Sequence, residues 1–314
     1  MKSPMPSPAA AAPPHVGPPP HVKGPRVFLD YDQVELDAAY TQIVYAPNAP
    51  QLIKRFSSSS QWSSARIGPP ERLAYGPSEI ERLDVYRCPV PNAPILIFIH
   101  GGGWRLELAK DFAFPGETFI RSGAHYVAPD FAWVQDVGGR LMPLADQVRR
   151  AVAWVYHNAD KIGGDRQRIY VAGQSSGGHL ASVLLTTDWH GLFGLPKDLI
   201  KGGTCISGIY DLKPVRLSAR SSYVKFDDET EHALSAMRHI GILSAPTIVA
   251  YGSLETPEFE RQAKHFATAI KNAGKTVKLL VGEHYNHFEY VETLMNPWSP
   301  LSIAMLEQIG LQPP

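Results

Sequence analysis

Gly173 to Gly178 reads Gly-Gln-Ser-Ser-Gly-Gly, preceded by the apolar run Ile169–Gly173 and followed by His179, Leu180 and a further apolar stretch. The order is strand, tight turn, helix, with Ser175 at the apex. Glycines at 173 and 177 let strand and helix pass close together, and a serine lifted out of such a turn above a helix N-terminus is placed to act as a nucleophile. Upstream, the apolar run Pro94–Ile99 ends in His100-Gly101-Gly102-Gly103-Trp104. A glycine loop after a core strand aims backbone amides at a small anion, so Gly102, Gly103 and Ser176 are the expected oxyanion donors. The chemistry implied is acyl transfer through a covalent serine intermediate.

A base and an acid must complete the set, in the chain order serine, acid, histidine, each at a strand end. Pro246–Gly252 reads as a strand followed by Ser253-Leu254-Glu255-Thr256-Pro257-Glu258, then a helix from Phe259 to Ala273 closed by Gly274. Thr276–Val281 reads as the last strand, followed by Gly-Glu-His284-Tyr-Asn-His287-Phe. Glu255 is assigned as the acid and His287 as the base. Three rivals stand beside them: Asp211, after the preceding strand Gly203–Gly208; Glu258, one helical turn beyond Glu255; and His284, three residues before His287.

The elements around these residues alternate. Leu36–Arg66, broken by Pro47 and Pro50, predicts one or two helices, with Ser57–Ser60 in the second. Leu73–Gly76 and Glu81–Tyr86 predict the opening strands, and Tyr126–Phe131 another. Pro143–Asn158 places Leu144, Val148, Ala151, Val152 and Val155 at helical spacing, a crossover helix. This alternation implies a mostly parallel sheet covered on both faces, which together with the serine turn and the glycine loop reads as an α/β-hydrolase fold, and residues 206–242 are expected to form a small helical cap. Residues 26–314 are read as one such domain and residues 1–25, rich in Pro and Ala, as a disordered or strapped-down arm.

Composition bounds the remaining classes. Thirty Lys and Arg balance thirty Asp and Glu, and no basic block occurs, which argues against nucleic acid or an anionic membrane as partner. No apolar run is long enough to span a bilayer. The two cysteines, Cys88 and Cys205, sit at or beside predicted strands and read as reduced small hydrophobes, which with the absence of a signal-peptide pattern suggests the cytoplasm. No Cys/His group has metal spacing, and the mechanism requires no cofactor.

The chain resembles the arylformamidase (kynurenine formamidase-like) family. The resemblance rests on Leu36–Tyr40, His100–Trp104, Gly173–Leu180, Ser207–Leu212 with Pro214-Val215, Thr256–Phe259 and Asn286–Phe288. Position by position it puts the nucleophile on Ser175, oxyanion glycines on Gly102 and Gly103, the histidine on His287 and the acid on Glu255. The family's acid is usually aspartate, so glutamate here hints at a subgroup with altered substrate. The resemblance implies hydrolysis of an aryl-N-acyl bond in a small molecule, N-formylkynurenine being the best known; arylamidases and carboxylesterases of the same shape act on anilides, carbamates or aryl esters. Trp104, Trp133, Tyr223 and Phe226 are the expected aromatic walls. A ligand-binding receptor on the same scaffold is the non-enzymatic alternative. A homodimer through apolar ends of the cap or last helix is compatible with the pattern.

Overall fold

The computed structural model describes residues 16–314. Eight strands form one sheet in the order β1-β2-β4-β3-β5-β6-β7-β8. Their ranges are β1 Glu71–Ala74, β2 Arg82–Tyr86, β3 Ala93–Ile99, β4 His125–Pro129, β5 Gly164–Gln174, β6 Ile200–Ile206, β7 Thr247–Gly252 and β8 Val277–Gly282. Only the β1–β2 and β2–β4 pairings are antiparallel; the rest are parallel. This is the α/β-hydrolase fold expected from the alternation of elements.

Period-two side-chain alternation divides the core into two layers. Ile95, Ile97, Ile99, Val127, Ile169 and Val171 point to one face, where the helices Met142–Asn158 and Ser176–Leu185 bury their apolar sides. Leu96, Phe98, Tyr126, Ala128, Tyr170 and Ala172 point to the other, against Phe56 and the helix Pro300–Ile309. With both faces covered, β3 is buried along its whole length and reads as a continuous apolar run. β8, at the sheet edge, leaves Leu279 and Val281 exposed.

Two helices form from the N-terminal amphipathic stretch, Gln33–Ala39 and Ala49–Ile67. Pro50 lies in the first turn of the second, where a missing N–H removes no helical bond. The serine run has a structural use: Ser57 Oγ donates to Asp111 at 2.6 Å, and Ser60 Oγ donates to the Asp111 carbonyl while accepting from the amides of Ala113 and Phe114. Asp32 caps the first helix, accepts from the Gly24 amide and His21, and thereby straps down the end of the arm. The rest of the expected arm, residues 1–15, lies outside the described residues. Among the described residues no helix is long and apolar enough to cross a membrane.

Candidate active site

Ser175 stands where β5 meets the helix Ser176–Leu185, with φ 59° and ψ −121°, a conformation that costs a non-glycine residue about 1–3 kcal/mol. Its neighbours impose it. The Ser175 amide donates to the Ile206 carbonyl at 2.9 Å, and the His179 amide donates to the Ser175 carbonyl at 3.0 Å. A Cβ on Gly177 would stand 2.0 Å from the Ile99 carbonyl oxygen, and one on Gly173 would stand 2.2 Å from that of Gly177. Glycine is therefore the residue that lets β3, β5 and the helix meet. Ser176 begins the helix, so its amide has no partner four residues back.

The loop after β3 is left-handed at three consecutive residues: Gly102 (φ 92°), Gly103 (φ 62°) and Trp104 (φ 64°). The amides of Arg105 and Leu106 both donate to the Gly102 carbonyl, and the Val134 amide donates to that of Trp104. A Cβ on Gly102 would meet the Leu106 carbonyl oxygen at 2.0 Å, so the curl demands glycine there. Among the described residues the amides of Gly102 and Gly103 find no acceptor within the protein. Both glycines border a cavity of about 570 Å³ that also contains Ser175 and His287.

His287 is buried between Phe259 and Phe288, whose rings meet it edge-on at 5.0 and 5.1 Å. Its Nδ1 lies 2.8 Å from Glu255 Oε2. The other carboxylate oxygen accepts from Ser207 Oγ at 2.6 Å and from the Gly252 amide at 2.7 Å. Three donors thus converge on a buried carboxylate and fix its orientation beside the imidazole. The remaining rivals are engaged elsewhere. Asp211 faces Arg238 at 3.7 Å on the rim of a separate depression. Glu258 is wholly buried, held by Arg261 at 2.6 and 2.8 Å and by the Tyr40 hydroxyl at 2.8 Å. His284 is exposed in a left-handed turn, its amide donating to Ser253 Oγ.

The expected aromatic walls require correction. Tyr223 lines the cavity, with Arg105 over its ring at 4.2 Å. Trp104 is fully buried: its Nε1 donates to His179 Nδ1 at 3.3 Å, and burial lowers the His179 imidazole to about 4, so that it stays a neutral acceptor. Trp133 is spent on the loop, donating to the Glu107 carbonyl at 2.9 Å, and Phe226 packs against the core. None of these three borders the cavity. The segment after β6 does supply part of the wall, through Ala219, Arg220, Ser222 and Tyr223.

Two of the charged residues on the cavity wall, none of which was anticipated, stand out. Glu107, left-handed at φ 67°, makes no side-chain hydrogen bond or ion pair among the described residues. Burial, with the Asp111 charge adding, pushes its carboxyl up to about 8. Arg220 is the second, and its guanidinium donates to the Tyr40 carbonyl.

The BD-FAE family model matches residues 83–197, from β2 to beyond the Ser175 helix. The kynurenine formamidase of Danio rerio is 31% identical over 76% of this chain and 81% of its own length. That of Salmo salar is 27% identical over 90% and 97%. Among solved structures, a thioesterase candidate from Silicibacter sp. TM1040 superposes with a TM-score of 0.74 at 24% identity, over 85% of this chain and 97% of that one. A thermophilic carboxylesterase cloned from a metagenomic library superposes at 0.65 and 19%, over 84% and 98%. The two structural likenesses concern the fold.

Proposed function

The chain belongs to the kynurenine formamidase family of α/β-hydrolases, a hydrolase of amide or ester bonds, and from that premise we propose that it cleaves an aryl N-acyl bond through Ser175, His287 and Glu255. The observation that carries this reading is the 2.8 Å contact of His287 with a Glu255 carboxylate fixed by Ser207 and Gly252, on the cavity that holds Ser175. Glu255 accepts a hydrogen bond from Nδ1–H without taking the proton, which leaves Nε2 free as the base, and its charge compensates the imidazolium formed during the reaction. His287 takes the Ser175 proton as the oxygen attacks the carbonyl. The amides of Gly102, Gly103 and Ser176 receive the developing oxyanion; such a donor typically contributes about 10²–10³ in rate. His287 then protonates the departing arylamine, and water activated by the same imidazole releases the acid.

N-formylkynurenine is the first substrate proposed, on the strength of the Danio rerio and Salmo salar relatives. The test compares kcat/KM for N-formylkynurenine, a simple acylanilide and p-nitrophenyl acetate. A value above about 10⁴ M⁻¹s⁻¹ on the first, ordinary for an enzyme on its own substrate, supports a formamidase. Feeble action there with strong anilide turnover makes the protein an arylamidase. Stoichiometric fluorophosphonate labelling of Ser175 separates either enzyme from a receptor with an inert serine. A cytoplasmic location is part of the proposal, supported by two buried cysteines that form no disulfide.

A further inference from the structure

Ser175 follows β5 and His287 follows β8, and on the sheet β6 and β7 stand between those two strands. The bonds of Glu255 to Ser207, Gly252 and His287 tie the ends of β6 and β7 to the loop after β8, and none of them reaches β5. The tie to β5 is made by Gln174, its last residue and the one before Ser175. Gln174 is 2% exposed, borders the cavity that holds Ser175 and His287, and donates from Nε2 to the His287 carbonyl at 3.2 Å. Among the described residues no backbone amide donates to that carbonyl, and no other hydrogen bond joins the Ser175 turn to the His287 loop.

The glycine loop bears on the same side chain. Gly102 and Gly103 are left-handed, but Gly101 is not, so the backbone at 101 does not itself require glycine. The space around it does. A Cβ on Gly101 would stand 2.5 Å from Gln174 Oε1, with the Gln174 carbonyl oxygen and Glu107 Oε2 farther off at 3.3 and 3.4 Å. Glycine at 101 therefore leaves the Gln174 amide the place from which it reaches His287.

We propose that Gln174 is a positioning residue for His287: its amide holds the backbone from which the imidazole projects and so sets the separation of base and nucleophile, with Gly101 kept small to admit it. Glu255 fixes how the ring is turned, and Gln174 fixes where the ring stands. The inference rests on the reading of His287 as the base. Proton transfer from Ser175 needs its two heavy atoms within hydrogen-bond reach, and a displacement of about 1 Å costs on the order of a hundredfold in rate.

Hydrolysis of p-nitrophenyl acetate tests this. Gln174→Met keeps an unbranched side chain of similar length but has no N–H to donate. Its kcat falls on the order of ten- to a hundredfold with KM within about threefold, and fluorophosphonate labelling of Ser175 slows by the same factor. A merely structural residue would lower the thermal midpoint and leave both rates near wild type well below that midpoint. Gly101→Ala is an independent probe, because the atom it strikes is the end of a flexible side chain that can move aside. It lowers kcat in the wild-type background, but by less than about twofold in a Gln174→Ala background, where no amide remains to be displaced. A Gln174→Met kcat within about threefold of wild type overturns the proposal, as does a loss confined to KM. Equal effects of Gly101→Ala in the two backgrounds overturn it as well, and that cycle decides the matter if Gln174→Met does not fold. His287→Ala reports separately on the base: turnover that survives it refutes the base itself, whereas turnover abolished by it beside an active Gln174→Met refutes the positioning role alone.

Discussion

Glu255→Gln isolates what the acid contributes, because it removes charge and an acceptor while keeping shape. Glu255 Oε1 faces two donors, Ser207 Oγ and the Gly252 amide, whereas Oε2 faces only His287 Nδ1. A serine hydroxyl can rotate, but the Gly252 amide cannot cease to donate. The glutamine carbonyl therefore stays on Gly252, and its NH₂ is turned toward His287. The imidazole can meet that NH₂ only by accepting at Nδ1, which moves its proton to Nε2 and removes the base that Ser175 needs. The wrong tautomer in an acid–histidine pair is worth about 10⁴ in kcat, about 5.5 kcal/mol at roughly 1.36 kcal/mol per decade. The assay is kcat on p-nitrophenyl acetate together with the rate of fluorophosphonate labelling, both of which should fall in parallel. The thermal midpoint should move by only a few degrees, since the Gly252 contact is retained. Asp211→Asn is the control and should stay within about threefold of wild type, because the Asp211 carboxylate faces Arg238 rather than the imidazole. A Glu255→Gln enzyme within tenfold of wild type would refute the argument, and a large loss in Asp211→Asn would move the acid to that residue.

Gly177→Ala drives a Cβ to 2.0 Å from the Ile99 carbonyl oxygen and 2.4 Å from that of His100, so strand and helix must part. A loss of about 4 kcal/mol or more is expected, read as a collapse in the denaturant midpoint, and a midpoint near wild type would contradict the packing described. Glu107→Gln should alter the pH dependence of stability. An acid raised from its ordinary 4.5 to about 8 binds its proton more tightly folded than unfolded, so wild type loses stability as pH climbs from 4.5 and has lost all of this contribution above about 8. The variant has no such proton, and its urea midpoint relative to wild type should rise between pH 5 and 8; a constant gap would show that Glu107 ionises normally. Cys88 and Cys205 are 6% and 0% exposed, and burial raises both thiols above their ordinary range. Neither should react with Ellman's reagent at pH 8 until denaturant is added, and a fast stoichiometric reaction in the native protein would contradict that burial.

Those features of the site that depend on backbone geometry were legible in the chain. Gly173, Gly177 and Gly102 occupy places where a Cβ would strike a carbonyl at about 2 Å, and such positions announce themselves as glycine beside an apolar strand. Glu255 and His287 were reachable because chain order and strand ends restrict the candidates, and the structure places them 2.8 Å apart. The aromatic walls were not reachable. A tryptophan after a glycine loop has the same sequence signature whether it faces a cavity or, like Trp104, is sealed under an arginine and against a histidine. Arg220 and Glu107 passed unnoticed for a related reason. Their meaning lies in what surrounds them, the Tyr40 carbonyl for Arg220 and a buried wall beside Asp111 for Glu107, and tertiary surroundings are not encoded in spacing.

The N-terminal Asp37-x-x-Tyr40 and the distant Thr256-Pro-Glu258-Phe259 are separate signatures in the chain, yet in space they are one joint. Thr256 Oγ1 donates to the Ala39 carbonyl at 2.6 Å, and the Tyr40 hydroxyl donates to Glu258 while accepting from Gln262. Asp37 accepts the Ala219 amide, and the Tyr40 carbonyl takes two donors of Arg220. One short helix, Gln33–Ala39, with the tyrosine that ends it, therefore grips both the loop that carries Glu255 and the turn that carries Arg220. This explains why Glu258, sequence rival to Glu255, is wholly buried without facing the imidazole: its carboxylate is the fixed point to which Tyr40 and Arg261 are tied. A rigid joint matters because a hydrogen-bonded acid–base pair loses its rate advantage when displaced by about 1 Å. The acid loop follows β7 on the sheet, but its tip is held by residues more than two hundred positions earlier in the chain, Ala39 and Tyr40. The turn that carries Arg220 is fastened to the same helix end, so one wall of the cavity and the acid loop share one support.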